Sequence, residues 1–215
     1  MVISPKFLFI HVPKAAGSSI TTALLREPDA SRGAFSYPHY TLEDYCDFFG
    51  KEKIQKRFVF CVIRNPWARM YSWWKFNRMR YRQRPARYTD QISFKEKHFE
   101  KDFNEWLLTT EFITNEERKF NDQPTPAQKR SQFDWFDSEP DLVDYIGKVE
   151  ELDELKKVLV MNKVVSDTSS SFSIPHMNKT DEKAPHYTKV YSKEAEHWIE
   201  HYFWKDIEYG HYTFM

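Results

Sequence analysis

Three short runs of apolar residues, each ending at a polar or turn-forming segment, predict the strands of a sheet. They span residues 7–12, 57–63 and 145–149. In the first two runs the apolar residues follow one another without alternating with polar ones. That pattern is typical of parallel strands buried on both faces.

Helical patterns lie between and after these runs, and together they predict an α/β fold. The predicted helices cover residues 20–25, 41–49, 94–112 and 151–161, and two more begin at Pro66 and Ser192. Thr41 is expected to cap its helix, with Glu43 and Asp44 in the first turn. A chain of 215 residues is one domain, 1–215, in which residues 79–131 form a mostly helical insertion.

The segment after the first predicted strand has the composition of an anion-binding loop. Pro13 ends the strand, Lys14 follows, and small and hydroxyl residues lead into the helix. The N–H groups of a first helical turn attract anions, and Lys14 would add a full charge. Ser18 and Ser19 can cap the helix or donate to an oxyanion. The lysine precedes the glycine, so this is not a Walker A motif, and an ordinary serine-capped strand–helix connection is the alternative.

A second candidate segment follows the second strand. Arg64 stands at the predicted strand end, and Pro66 suits the first turn of the next helix, which places Ser72 two turns further on. In open α/β sheets ligands bind at the carboxyl ends of strands. An arginine there can hold a phosphate through two charged hydrogen bonds.

Together these two segments resemble the sulfotransferases that use 3′-phosphoadenosine 5′-phosphosulfate (PAPS), and the carbohydrate-type branch that includes heparan sulfate 2-O-sulfotransferase is the most similar. Looser similarities continue through residues 144–152, 176–180 and 205–212, so the resemblance covers nearly the whole chain in order. It implies a three-layer α/β/α, P-loop-like fold with a central parallel sheet. It also implies transfer of a sulfuryl group to an acceptor hydroxyl. Residues 79–123 match no part of the family pattern, and the insertion 79–131 is expected to shape the acceptor pocket, as long insertions after strands usually do.

The resemblance also assigns roles to particular residues. The 5′-phosphosulfate loop comprises Pro13, Lys14, Ala15, Ala16, Gly17, Ser18 and Ser19. Arg64 and Ser72 stand at the 3′-phosphate contact positions, and Asn178 and Lys179 lie in a loop that closes over the cofactor. Lys14, on the phosphosulfate loop, is the candidate for stabilising the leaving group.

The general base is predicted to be His39. Histidine is the default base near neutral pH, and His39 lies between the two candidate loops, where this branch carries its catalytic histidine. Pro38 replaces a small residue of the family pattern, and a surface histidine in a turn is the alternative. His11, on the first strand, is expected to be structural.

Charge is balanced over the chain, with 32 basic and 32 acidic residues, but it is unevenly distributed. Between Lys51 and Arg87 there are 12 basic residues and one acidic residue, Glu52. Such an asymmetry favours a polyanionic partner. The cofactor can account for part of it, and a sulfated or uronic-acid glycan acceptor for the rest. For the arginine-rich residues 78–84 a solvated helix end and nucleic-acid binding are the alternatives. Net neutrality and the lack of a nucleic-acid module disfavour a dedicated nucleic-acid binder.

The cysteine count and the hydropathy of the chain limit the remaining classes of protein. Two cysteines are too few for a disulfide framework. No segment has the apolar length of a membrane span, and no signal peptide is recognised. A cytoplasmic protein is predicted, with a trimmed Golgi luminal domain as the alternative.

His197 and His201 fit a zinc-peptidase pattern that lacks a third ligand, so they are assigned to a helix surface and no metal is expected. Oligomeric state stays open.

Two other functions compete with sulfuryl transfer. A nucleotide or small-molecule kinase with a divergent phosphate loop would need an acidic magnesium ligand after a strand, and none follows residues 58–63. A catalytically silent anion- or glycan-binding protein of the same fold would tolerate the loss of Lys14 and His39.

Overall fold

The computed structural model of the protein describes residues 2–32, 39–83, 101–109, 131–165, 173–175 and 184–215, with side chains in the long helix described up to Met79. Two compact units are formed. The first contains Met1–Arg64 and Asn115–Met177, and the second contains Asn65–Thr114 and Asn178–Met215. The prediction that the chain is one domain stays a prediction.

The first unit contains a four-stranded mixed sheet. Its strands are β1 (Val2–Ile3), β2 (Phe7–Ile10), β3 (Phe58–Ile63) and β4 (Tyr145–Lys148). They lie side by side in sequence order; β2, β3 and β4 are parallel, and the two-residue β1 pairs antiparallel with β2. The α/β prediction with parallel central strands is confirmed, while the short antiparallel strand at the edge was not predicted.

The helices of the described residues follow the predicted order. They are α1 (Gly17–Leu24), α2 (Leu42–Phe49), α3 (Lys51–Ile54), α4 (Pro66–Gln83), α5 (Phe103–Thr109), α6 (Leu152–Met161), α7 (Lys193–Tyr202) and α8 (Trp204–Gly210). Short 3-10 helices lie between some of them, including Gln132–Trp135. None of these described helices combines the length and apolar character that a bilayer-spanning segment requires.

Alternate residues of the central strands build the core of the first unit. Phe9, Phe60 and Val62 belong to a buried cluster with apolar residues of α1 and α6. The intervening residues Leu8 and Cys61 are also fully buried. Both faces of these strands are therefore covered, which explains why their sequences are apolar without alternation.

Two predicted helices have different bounds in the structure. The helix predicted at residues 94–112 begins only at Phe103 within the described part of the chain, because the Asp102 carboxylate accepts a hydrogen bond from the Glu105 N–H at 2.9 Å and caps it. Ser192 caps the helix it was predicted to open, but that helix ends at Tyr202 and α8 follows after Phe203.

The second unit buries an ion pair and an aromatic cluster. Arg69 on α4 and Asp206 on α8 are both fully buried, with 3.9 Å between guanidinium and carboxylate. Rings of Tyr71, Phe103 and Tyr191 pack edge to face, and the Phe103–Tyr191 centroids are 4.7 Å apart. This packing joins α4 and α5 to the segment before α7.

Candidate active site

The carboxyl ends of β2 and β3 bring the two predicted phosphate-binding segments together. The strands are parallel neighbours, with Ile10 opposite Cys61, so the chain leaves both at the same edge of the sheet. There the Arg64 guanidinium donates a hydrogen bond from Nη1 to the Lys14 carbonyl at 3.4 Å. Lys14 and Arg64 are both half-buried. The predicted juxtaposition of these segments is confirmed.

The loop after β2 uses two residues in the left-handed region. Lys14 has φ 66° and Ala16 has φ 56°, although neither is glycine. Residues with side chains are uncommon there and carry strain, which tends to concentrate at functional sites. Backbone turns of this kind also direct successive N–H groups into one concavity that can hold an anion.

The start of α1 differs from the prediction. The helix begins at Gly17, three residues earlier than expected, with Ala16 as its N-cap and no side-chain cap. Ser18 and Ser19 therefore lie inside the first turn and neither caps the helix, which argues against the alternative of an ordinary serine-capped connection. Ser18 is exposed and Ser19 is buried. Among the described residues, no side chain therefore caps the first turn of α1.

Gly17 is required by its contact with His11. A Cβ atom placed on Gly17 would lie 1.8 Å from Cδ2 of the His11 ring, a distance that no side chain can occupy. His11 is 7% exposed. Burial, reinforced by nearby cationic groups such as Arg32 and Lys14, holds the pKa of His11 well below its usual value. His11 is therefore neutral at pH 7 and packs against the loop at Gly17. Its expected structural role, holding the loop through a hydrogen bond, stays a prediction.

His39 reaches the same loop through its ring. Its Nδ1 lies 2.9 Å from the His11 carbonyl, and the two imidazole rings are 4.4 Å apart in an edge-to-face arrangement. A carbonyl can only accept, so His39 carries a proton on Nδ1, and in the neutral ring Nε2 is then the acceptor. That tautomer is the one a general base needs.

Gln132 and Trp135 were not singled out in the sequence, although both bond to predicted site residues. The Gln132 side chain is fully buried and exchanges two hydrogen bonds with the backbone of Arg64, at 2.8 and 2.7 Å. The indole N–H of Trp135 donates to the His39 carbonyl at 3.2 Å. The sequence around Gln132 does not indicate this role, because a glutamine beside aromatic residues in a segment without periodicity is not a recognisable pattern.

The remaining predicted site residues fall into two groups. Pro13 and Ala15 are buried within the loop, and Ser72 is half-buried on α4, in the second unit. Its assignment to the 3′-phosphate stays a prediction. Asn178 and Lys179 lie outside the described residues, as do residues 84–100 and 110–130 of the predicted insertion.

Many cations of the basic stretch have contacts within the fold. Lys51 pairs with Glu139, and Arg57 donates to the Ser4 carbonyl at 2.9 Å. Lys75 lies 4.4 Å from the Tyr71 ring centroid. The prediction of an anionic acceptor therefore depends on fewer cations than the sequence count suggests, and it stays a prediction.

The two histidines of the zinc-peptidase pattern lie on a helix surface. His197 and His201 are exposed on α7, as predicted. Within the described ranges no three His, Cys, Asp or Glu side chains are grouped so that they could hold a metal ion.

Comparison with known proteins identifies one family. A family model described as the Sulfotransferase family matches residues 3–213, nearly the entire chain. No curated protein and no solved structure matches. The match confirms the family resemblance drawn from the two loop segments, whereas the carbohydrate-type branch stays a prediction.

Proposed function

Because the chain belongs to the sulfotransferase family, we propose that it transfers a sulfuryl group from PAPS to a hydroxyl group of a carbohydrate. One observation carries the proposal. Lys14 and Arg64, from loops after two neighbouring parallel strands, are joined by a hydrogen bond at the edge of the sheet. A donor with phosphate groups at two positions needs cationic groups on both loops.

The residues at this edge fit such a donor. The first turn of α1 has no side-chain cap, and its N–H groups and dipole favour an anion. Gly17 allows the loop to pack directly on the His11 ring. We assign residues 13–19 to the 5′-phosphosulfate and Arg64 to the 3′-phosphate.

Two side chains then have chemical roles. When bound, PAPS supplies the SO₃ group on a phosphate that departs with additional negative charge. The Lys14 ammonium offsets that charge, as a fixed cation does most effectively in a site shielded from water. His39, protonated on Nδ1 by its bond to the His11 carbonyl, accepts the proton of the acceptor hydroxyl at Nε2.

The acceptor class follows from the family branch that the loops resemble. We propose a glycan whose anionic groups are recognised by the arginine-rich residues 78–84. A cytoplasmic location, predicted from the sequence, is proposed with it.

Donor binding is tested by thermal unfolding with adenosine 3′,5′-bisphosphate, the product of PAPS, and no added metal. A ligand at 100 times its Kd stabilises the folded state by about 2.7 kcal/mol, so we expect a rise in Tm. Adenosine 5′-phosphate, which lacks the 3′-phosphate, should give a smaller rise. Stabilisation by ATP with Mg²⁺ but not by the bisphosphate would support the kinase alternative instead.

The acceptor is tested by transfer of labelled sulfate from PAPS to desulfated heparin, to 2-naphthol and to a glycolipid. We expect label in the desulfated heparin. Label in 2-naphthol alone would retain the sulfotransferase activity and overturn the carbohydrate assignment. If the bisphosphate binds and no acceptor is labelled even at long times, the silent binding protein becomes the better description.

A further inference from the structure

We propose that Gln132 and Trp135 are positioning residues for Arg64 and His39. We call the 3-10 helix Gln132–Trp135 the positioning helix. This inference rests on the proposed function, because it concerns the two residues assigned there to the donor phosphate and the proton transfer. It adds residues that neither the loop motifs nor the family match assigns.

The first contact fixes the end of β3. The Oε1 atom of Gln132 accepts the Arg64 N–H at 2.8 Å, and its Nε2 donates to the Arg64 carbonyl at 2.7 Å. The Gln132 side chain thus bonds the backbone of Arg64 as a neighbouring strand would, one residue beyond the end of β3. Its amide is fully buried, so this contact sets the backbone from which the Arg64 guanidinium extends toward the Lys14 carbonyl.

The second contact fixes the backbone of His39. The Trp135 side chain is 1% exposed, and its Nε1–H donates to the His39 carbonyl at 3.2 Å. The His39 ring in turn donates to the His11 carbonyl. The general base is therefore held at both its backbone and its ring.

The two contacts come from one short helix. Residues three apart in a 3-10 helix project from the same side, and Gln132 and Trp135 have that spacing. Ser131 accepts a hydrogen bond from the Phe133 N–H and caps the element. A purely apolar packing role would not need two polar side-chain contacts to the backbones of two separate site segments.

The two contacts predict separable kinetic effects. Trp135→Phe keeps a buried ring but removes the donor, so it should lower kcat for transfer to desulfated heparin. Misplacing a catalytic group by about 1 Å costs up to about 100-fold, and we expect a loss of about 10-fold or more with little change in the Kd of the bisphosphate. Trp74→Phe is the matched control, because the Trp74 indole N–H also donates to a backbone carbonyl, that of Lys101.

Gln132→Met should weaken donor binding and leave kcat largely unchanged, the reverse of Trp135→Phe. It removes both hydrogen bonds at similar volume, and we expect the Kd of the bisphosphate to rise about 10-fold with kcat at saturating PAPS largely retained. Asn104→Leu is the matched control, since the Asn104 amide likewise donates to the Val190 carbonyl and accepts the Ser192 N–H.

A double-mutant cycle separates positioning from general destabilisation. If Trp135 acts through His39, then Trp135→Phe should have little further effect on kcat in a His39→Ala background. The inference would be overturned if the kcat losses of Trp135→Phe and His39→Ala multiplied in the double variant. It would also be overturned if Trp135→Phe lowered kcat no more than Trp74→Phe does. If the unmodified protein transfers no sulfate, the proposed function itself fails and the inference with it.

A measurement on the unmodified protein covers the case in which Trp135→Phe does not fold. Nitrogen-15 spectra of the histidine rings, recorded at a pH at which the rings are neutral, should show the His39 proton on Nδ1. Observation of the Nε2–H tautomer would contradict the held geometry of His39 directly.

Discussion

Helices α1 and α2 each have eight residues, lie in the same unit and begin in opposite ways. At α2 the Thr41 hydroxyl accepts the Asp44 N–H at 3.2 Å, and the Asp44 carboxylate accepts the Thr41 N–H at 2.6 Å. This is a complete capping box. At α1 the N-cap is Ala16 in the left-handed region, and the first turn contains no acidic residue.

The difference concerns where the negative charge at a helix N-terminus comes from. Helix α2 supplies it from its own sequence through Glu43 and Asp44, which stabilises the helix and leaves little attraction for another anion. Helix α1 forgoes a side-chain cap, which is usually worth about 1 kcal/mol. We infer that α1 obtains the equivalent interaction from the donor phosphosulfate, so its N-terminus is optimised for binding and that of α2 for stability.

The largest effect is expected from replacing Lys14, in the loop before α1, and not from replacing lysines near α2. Lys14→Ala should reduce kcat by about 100- to 1,000-fold, the usual cost of removing one group that stabilises developing charge. Tm should change little, because the Lys14 contact to Arg64 uses the backbone carbonyl. Steady-state kinetics with PAPS and desulfated heparin measure the first, and thermal unfolding the second.

Lys53→Ala is the control for this substitution. Lys53 is exposed on α3, directly after α2, and its loss should leave kcat within twofold, as is usual for surface changes. Equal losses for both variants would remove the distinction between the two regions.

Local signals made much of the fold predictable. The Thr41 cap was found correctly because all its parts lie within four residues, and β3 was found because its apolar run is continuous. The start of α1 was misjudged because it depends on a contact with the His11 ring that the sequence around Gly17 does not express. The edge strand β1 was missed because two residues give no periodic pattern.

The same limit applies to the candidate site. Lys14 and Arg64 were predicted because each ends an apolar strand, and parallel neighbours bring such ends together. Gln132 is 68 residues from Arg64, and Trp135 is 96 residues from His39. Their contacts arise only from the tertiary fold, so no motif could reveal them.

An intermediate effect is expected from filling the space at Gly17. Gly17→Ala places a methyl group against the His11 ring, and overpacking of this kind costs about 1–3 kcal/mol. The loop must then move from His11, so the increase in the free energy of unfolding that adenosine 3′,5′-bisphosphate gives should also be lost. Urea unfolding with and without the bisphosphate gives both quantities.

Gly50→Ala distinguishes a steric effect at the α1 loop from the general cost of replacing a glycine. Gly50 ends α2 at φ 88°, and a Cβ atom there meets nothing within 4 Å. This variant should lose about 1–3 kcal/mol through its backbone conformation and should keep the response to the bisphosphate. A lost response in this variant would show that the binding assay reports stability alone.

The smallest expected effects come from the hydroxyl residues at the two helix starts. Thr41→Ala removes the α2 cap and should lower the free energy of unfolding by about 1 kcal/mol, with the bisphosphate Kd unchanged. Ser18→Ala should leave the free energy of unfolding within about 0.5 kcal/mol, because Ser18 is exposed within the first turn and is not the N-cap. Its hydroxyl is available to the phosphosulfate, so the bisphosphate Kd should rise. If Ser18→Ala instead costs as much stability as Thr41→Ala with no change in Kd, then α1 begins with a conventional serine cap and its N-terminus is not reserved for an anion.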